Sequence, residues 1–356
     1  MTERKHSRKL KDGESFSAVL VTQFSKTSTL LISATLASSL LSVSCASPRE
    51  MDCKFPIAEV SISCRAPEKS NAGSVDLFFF NDDELGRLDS YQRVDSLDGN
   101  VIQASSREGK KRLVVLANTS KDKYTWSDIS CYETLTKATY SLDKESPDSP
   151  VMSGETLLSA GADKSCSVKL EPLMAEVVLR SIKCDFSGRP YSNAKLENIK
   201  VYLTNVNSRC KLYTDSLYLP EGILNVGGLN ESDVATLTHP EMIFREIEEP
   251  VGMGSIRPYL RFYCYPNEAA EESLGSPFTK LVVEGTVNGK VTYYPVCVGR
   301  DIEGKGGISR NKSYLIDLKI TRLGSDDPET PVMEGAVVVV AEVADWREKD
   351  KEIISY

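Results

Sequence analysis

The side chains best suited to acid–base, nucleophilic or metal chemistry in this 356-residue chain are two histidines, nine cysteines and a few clustered carboxylates, and their spacing assembles none of these centres. His6 lies in a basic leader. That leaves His239 in "LTHPEM", where Pro240 predicts a loop, as the base on which any Ser-His-Asp or Cys-His centre would rest. The cysteines at 45, 53, 64, 131, 166, 184, 210, 264 and 297 form no C-x-x-C pair and no Cys/His cluster of the kind that zinc requires. Several sit in apolar alternation, as Cys264 does in "RFYCY" and Cys297 in "YPVCV", which suits small buried thiols.

The remaining motifs fail in the same way. "NDDELGRLDSYQ" (81–92) places Gly86 where a calcium loop needs its glycine, but Leu85 and Gln92 fall at ligand positions and cannot serve. It reads as a polar loop after a strand. "GRDIEGKGGISRNK" (299–312) is rich in glycine but lacks phosphate-loop spacing and is followed by no helical pattern. "VMSGE" sets a serine beside a glycine without the G-x-S-x-G elbow. Asp326, Asp327 and Glu329 lie in a proline-bounded loop with no pairing for acid–base work. No enzyme, metal site or cofactor is expected. The formal net charge of −8 argues against nucleic acid as a partner, because phosphate binding needs a basic face.

The leader carries chemistry of a different kind. Arg4, Lys5, Arg8, Lys9, Lys11 and Lys26 precede the apolar run "TLLISATLASSLLSVSCAS", which is short for a membrane span and suits a signal segment. Its end, "LSVSC", looks like a bacterial lipobox, with Ser44 before Cys45. Ser42 stands where leucine is usual, and Leu41 is displaced by one position. Cys45 is therefore expected to be lipidated and to start the mature chain; the alternative is a plain signal peptide cut near "CAS". Both export the protein.

The elements expected to position these residues are mostly strands. In "VSISCRAPEK" (60–69) Val60, Ile62 and Cys64 alternate with serines, and Arg65, Ala66 and Pro67 end the run. Further strands are predicted at 74–81, 111–119, 176–184, 199–206, 210–219, 259–265, 279–287, 290–298, 314–322 and 336–343, with an Asn-Gly hairpin turn in "VNGKV". One helix is predicted at 126–142, with Asp128 near its start. This pattern predicts a mainly β chain in sandwich or barrel form, with a boundary near residue 170. The run "GAVVVVAEVADW" (335–346) is apolar on both alternating sets. Folded back, it would be a core strand; left extended, it would aggregate unless a partner received it by β-augmentation.

"RNKSYLIDLKITRLGSDDPETPVMEGAVVVVAEVADW" (310–346) closely resembles the C-terminal signature of the Bacteroidales fimbrillins, subunits of the type V pilus. "GKKRLVVLANTS", "VMSGE" and "TYYPVCV" look like landmarks of the same family in the expected order. The resemblance implies two β-sandwich domains of transthyretin-like topology with few short helices, export as an outer-membrane lipoprotein, and assembly by protease-assisted strand exchange into a cell-surface fimbria with a role in adhesion. Carried onto this chain, it implies a leader at 1–45, a propeptide at 46–65, sandwich domains at 66–169 and 170–323, and a linker and donor strand at 324–356. The removable strand would present Ala58, Val60, Ile62 and Cys64, with cleavage between Arg65 and Ala66. The donor would present Val337, Val338, Val339, Val340, Ala341, Val343 and Trp346. The implied partners are other pilus subunits, a maturation protease, and the outer membrane through lipid on Cys45 before processing. An anchor or tip adhesin subunit of the same system is the alternative role.

Overall fold

Alternating and β-branched runs become strands along almost the whole of the computed structural model, which describes residues 56–67, 72–95, 101–119, 126–213, 222–301, 304–333 and 335–346. The expected lipidation site Cys45 and the rest of the leader lie outside the described residues. First in the chain come β1 (Ile57–Arg65), β2 (Val75–Asn81), β3 (Leu88–Val94), β4 (Val101–Arg107) and β5 (Gly109–Ala117). Helix α1 (Tyr132–Lys137) precedes β6 (Thr139–Ser141), β7 (Met152–Ala160), β8 (Ser165–Lys169) and β9 (Glu171–Pro172). Next are β10 (Ala175–Cys184), β11 (Glu197–Thr204), β12 (Val206–Asn207), β13 (Arg209–Lys211) and β14 (Ile223–Leu224). After helix α2 (Glu231–Thr236) come β15 (Phe244–Ile247), β16 (Leu260–Cys264), β17 (Lys280–Val287), β18 (Lys290–Cys297), β19 (Lys312–Ile320) and β20 (Val337–Asp345).

The protein is mainly β, and its sheets pack as sandwiches. A three-stranded sheet, β4-β1-β8, shares one apolar core with the five-stranded sheet β3-β2-β5-β7-β9. Strand β2 shows why its sequence is apolar on both faces. Val75, Leu77 and Phe79 point into that core, whereas Phe78 and Phe80 belong to a second, larger one. The larger core is filled mainly by the sheets β16-β10-β19-β20 and β15-β11-β17-β18. The expected boundary near residue 170 falls between β8 and β9, and the larger core runs across it, joining Phe80 and Leu116 to Val177 and Leu179.

Arg310 also bridges that boundary. Its buried guanidinium donates to the Pro172 carbonyl from Nε at 3.1 Å, to Ser153 Oγ at 3.1 Å and to the Glu171 carbonyl. A buried guanidinium surrounded by carbonyl and hydroxyl acceptors keeps its charge hydrogen-bonded. The arginine of the Arg-Asn-x-x-Tyr run is thus a fastener between the two halves.

Two sequence expectations are corrected. The helix predicted over 126–142 is a 3-10 turn at Trp126–Asp128 followed by the six residues of α1. Thr134, Thr136 and Thr139 weaken its helical propensity, and the run turns extended at Ala138 so that β6 can pair with β13. The strand predicted at 210–219 is reduced to β13, and residues 214–219 lie outside the described residues. The Asn-Gly hairpin is present: Asn288 and Gly289 sit at φ 52° and 77° between β17 and β18, as a tight primed turn requires.

Candidate functional site

Strand β1, which holds the residues expected to be removed, lies at the centre of its sheet. β1 runs antiparallel to β4, pairing Val60 with Ala104 and Ile62 with Ile102. On its other side it runs parallel to β8, pairing Cys64 with Val168 and Arg65 with Lys169. Its serines face outward, and Ser61 Oγ donates to Gln103 Oε1 at 2.9 Å. The inward set is closed off from water: Val60 and Ile62 are 0% exposed and Cys64 4%, over Leu77, Phe79, Leu113 and Val115. Ala58 is buried beside them. Burial raises the Cys64 thiol to about 11, and nearby Cys166 adds to the shift, so Cys64 stays protonated and behaves as a small apolar plug.

Arg65 ends the strand at the surface and Ala66 is half-buried. The Arg65 carbonyl still accepts the Leu170 N–H at 2.8 Å, so the strand's last residue is tied to the end of β8. Gly154 explains why "VMSGE" needs its glycine. A Cβ there would meet the Lys169 carbonyl at 2.1 Å, so β7 can approach the end of β8 only without a side chain. Taking β1 away would leave a slot walled by β4 and β8 and floored by β2 and β5.

The sequence did not single out β4 and β8 as strands. Their apolar inward residues are few: Ile102 and Ala104 on one, with Ser106 completing its buried set, and Val168 with half-buried Cys166 on the other. The signal was present as period-two alternation, but too weakly apolar to stand out.

The C-terminal strand contrasts with β1 at every point. β20 lies at the edge of its sheet, antiparallel to β19, with Val337 paired to Ile320 and Asp345 to Lys312. Val338 is 48% exposed, Val339 39%, Val340 57% and Val343 56%. Ala341 is also exposed, whereas Val337 is half-buried. The strand is held by backbone bonds and by its ends. Ala336 is buried and its carbonyl accepts the Thr321 N–H at 2.8 Å. At the far end Trp346 is 3% exposed, its ring 5.7 Å from that of Tyr263, and its backbone N–H donates to the Asn311 carbonyl at 3.0 Å. Polar fasteners add to this, with Arg180 bonding Glu342 at 3.1 Å and Lys312 pairing with Asp345. An edge strand with exposed valines on both faces is an aggregation hazard that sheets ordinarily guard against with charges or proline.

His239 forms a local contact with Glu241 at 3.0 Å, and among the described residues no group of His, Cys, Asp and Glu could hold a metal ion. Among the described residues no helix is long and apolar enough to cross a membrane.

No protein-family model matches the chain. Solved structures do. A candidate cell adhesion protein from Parabacteroides distasonis superposes with a TM-score of 0.61 at 16% identity, over 81% of this chain and 96% of that one. A fimbrilin from Porphyromonas gingivalis gives 0.59 at 15% identity, over 81% and 97%. The tip fimbrial protein Mfa3 of Porphyromonas gingivalis, truncated at its C-terminus, gives 0.50 at 13% identity, over 82% and 100%. This chain has the fold of a fimbrilin and of candidate cell adhesion proteins.

Proposed function

We propose that this chain is a structural subunit of a cell-surface fimbria with a role in adhesion, and not an enzyme. It is exported as a lipoprotein precursor with lipid on Cys45, which holds it at the outer membrane until processing. A maturation protease cuts between Arg65 and Ala66, β1 leaves, and the vacated slot receives β20 of another subunit. The two sandwich domains divide near residues 169/170 and have transthyretin-like topology. The observation that carries this reading is the mismatch between the two strands. The one ending in an exposed arginine is fully plugged into a core, and the more apolar one is parked at an edge with its valines in solvent.

The chemistry of β20 selects the face that would enter the slot. Val337, Val339, Ala341 and Val343 form one alternating set, which meets a carboxylate only at the strand's last residue, Asp345, whereas the other carries Glu342 within the strand. Burying Glu342 without a partner would cost several kcal/mol, so the first set faces inward. Full burial of a valine is worth roughly 1.5–3 kcal/mol, and each exposed valine of β20 still has about half of that to gain. Ladder hydrogen bonds accompany the change, and the entropy of joining two subunits opposes it. Donation from one subunit to the next is heterologous, so it extends as a filament and closes no ring.

Limited trypsin digestion of the chain from residue 46 onwards tests this. The expected product has Ala66 as its N-terminus and runs as a ladder that resists heating. Cleavage at Arg65 that leaves a stable monomer at high concentration would contradict the proposal.

A further inference from the structure

The donor strand needs a root, and the segment preceding it is not the free linker that its prolines suggest. Between β19 and Pro331 the chain is bonded to the body of the subunit at successive points. The Gly324 N–H donates to Thr292 Oγ1 at 2.7 Å, and a Cβ on Gly324 would meet the Tyr293 carbonyl at 2.1 Å. Ser325 exchanges both backbone bonds with Tyr293, at 2.9 and 3.0 Å. Asp327 Oδ1 accepts the N–H groups of Glu329 and Thr330 at 2.9 and 2.8 Å, which folds the segment into a turn.

At the centre of that turn the half-buried Glu329 carboxylate bonds to two buried side chains of the subunit. Asn205 Nδ2, from a residue only 1% exposed, donates to its Oε1 at 3.0 Å. Lys280 Nζ, on a side chain 7% exposed, donates to its Oε2 at 2.5 Å. Lys280 also reaches the Glu329 carbonyl at 3.3 Å, and its other carboxylate, on Glu272, is 3.3 Å away and more exposed. A buried ammonium that lost Glu329 would be left poorly paired, so detaching this turn is costly. Past it the hold is intermittent: Val332 packs on the larger core and the Gly335 carbonyl accepts from Thr321 Oγ1. Pro331, Met333 and Gly335 are exposed, and Gly335 sits at φ 73°, a conformation that glycine takes without strain.

We infer that Glu329, held by Lys280 and Asn205, is the root clamp of the donor arm: residues 324–330 stay seated on their own subunit when β20 leaves, and the arm swings from the stretch between Thr330 and Ala336. This rests on the strand donation proposed above. The consequence is geometric. The movable arm is 331–346, about 50 Å when extended at roughly 3.3 Å per residue, and its origin is fixed on the donor subunit. Glu329 is a positioning residue here: it sets where the arm starts, and a long flexible origin would lower the effective concentration of the strand at its target.

Hydrogen–deuterium exchange read by mass spectrometry tests the clamp without requiring polymerisation. In a chain ending at residue 334, which lacks β20, the amides of 324–330 should remain as protected as in the full chain. In full-length Glu329→Gln the same amides should exchange at least about tenfold faster, with β17 and β11 unchanged. Replacing Lys280→Met as well, which removes the stranded charge, should restore the fold of any variant that Glu329→Gln destabilises while leaving 324–330 unprotected. Loss of protection in the truncated chain, or unchanged protection in Glu329→Gln, would overturn the clamp. Failure of the trypsin-treated full chain to form a ladder would instead overturn strand donation, with the two truncation and substitution results still deciding whether 324–330 is anchored.

Discussion

Strands β1 and β20 are the same length, nine residues each, and carry opposite relations between sequence and burial. β1 is the more polar, with Glu59, Ser61, Ser63 and Arg65 on its outer face, yet its inward side chains are sealed in a core. β20 is a run of valines and alanines that the monomer leaves half in water. Hydrophobicity alone therefore did not decide which strand entered the core. Position did: among the described residues β1 has strand neighbours on both sides, and β20 has one. A strand with two neighbours and a floor of phenylalanine and leucine is worth far more to the fold than a more apolar strand on an edge.

That contrast can be broken first at the side chains. Ile62→Ala is expected to cost about 2–5 kcal/mol in chemical denaturation, and Val340→Ala within about 0.5 kcal/mol of nothing. Equal costs would mean that β20 is a structural strand of the monomer. A second effect should be local. Trp346→Ala removes a buried ring packed on Tyr263 at the end of β20, so amides of 337–345 should lose more protection than those of β10 and β19.

Solution pH separates the body from the edge strand. Glu145 is fully buried, accepting the Val151 N–H at 3.0 Å and the Tyr265 hydroxyl at 3.1 Å, and burial raises it to about 8. A carboxyl raised in the folded state binds its proton more tightly there than in the unfolded chain. The stability it contributes is fully present below about pH 4.5, declines as pH rises toward 8, and is lost above that. Thermal melts of Glu145→Gln should be flatter over this window than those of the parent. Release of β20, corrected for intrinsic exchange, should not follow that profile, because Glu145 lies in the body. The smallest effect is expected at the tip of β20. Lys312→Ala removes an exposed partner of Asp345 and should ease release by only about 0.2–1 kcal/mol.

Most of this organisation was legible in the sequence where side chains are large. "DLFFFN" and "KLVVEGTV" specify buried strands through volume and β-branching, and Asn288-Gly289 specifies its hairpin. The walls of the slot were not legible. "VIQASSR" and "SCSVK" contribute mostly Ala, Ser and one or two aliphatics, and they form strands because β1 pairs with both. The root clamp was hidden for another reason. Glu329 sits in a proline-bounded polar loop, and its partners Asn205 and Lys280 are 124 and 49 residues away, so periodicity could not join them. The helix predicted at 126–142 failed because pairing of Tyr140 with Cys210 outweighed a weak local preference.

The central claim is that removal of β1 creates a slot that fits β20. It is tested most directly with a synthetic peptide of residues 336–346 and a chain that ends at residue 334, so that no internal donor competes. Titrated before and after cleavage at Arg65, the peptide should bind the cleaved chain one to one and leave the uncleaved chain unbound. Substituting Val339→Asp in the peptide should abolish binding, and Val338→Asp should weaken it far less. Equal binding to cleaved and uncleaved chains, or none to either, would contradict the account.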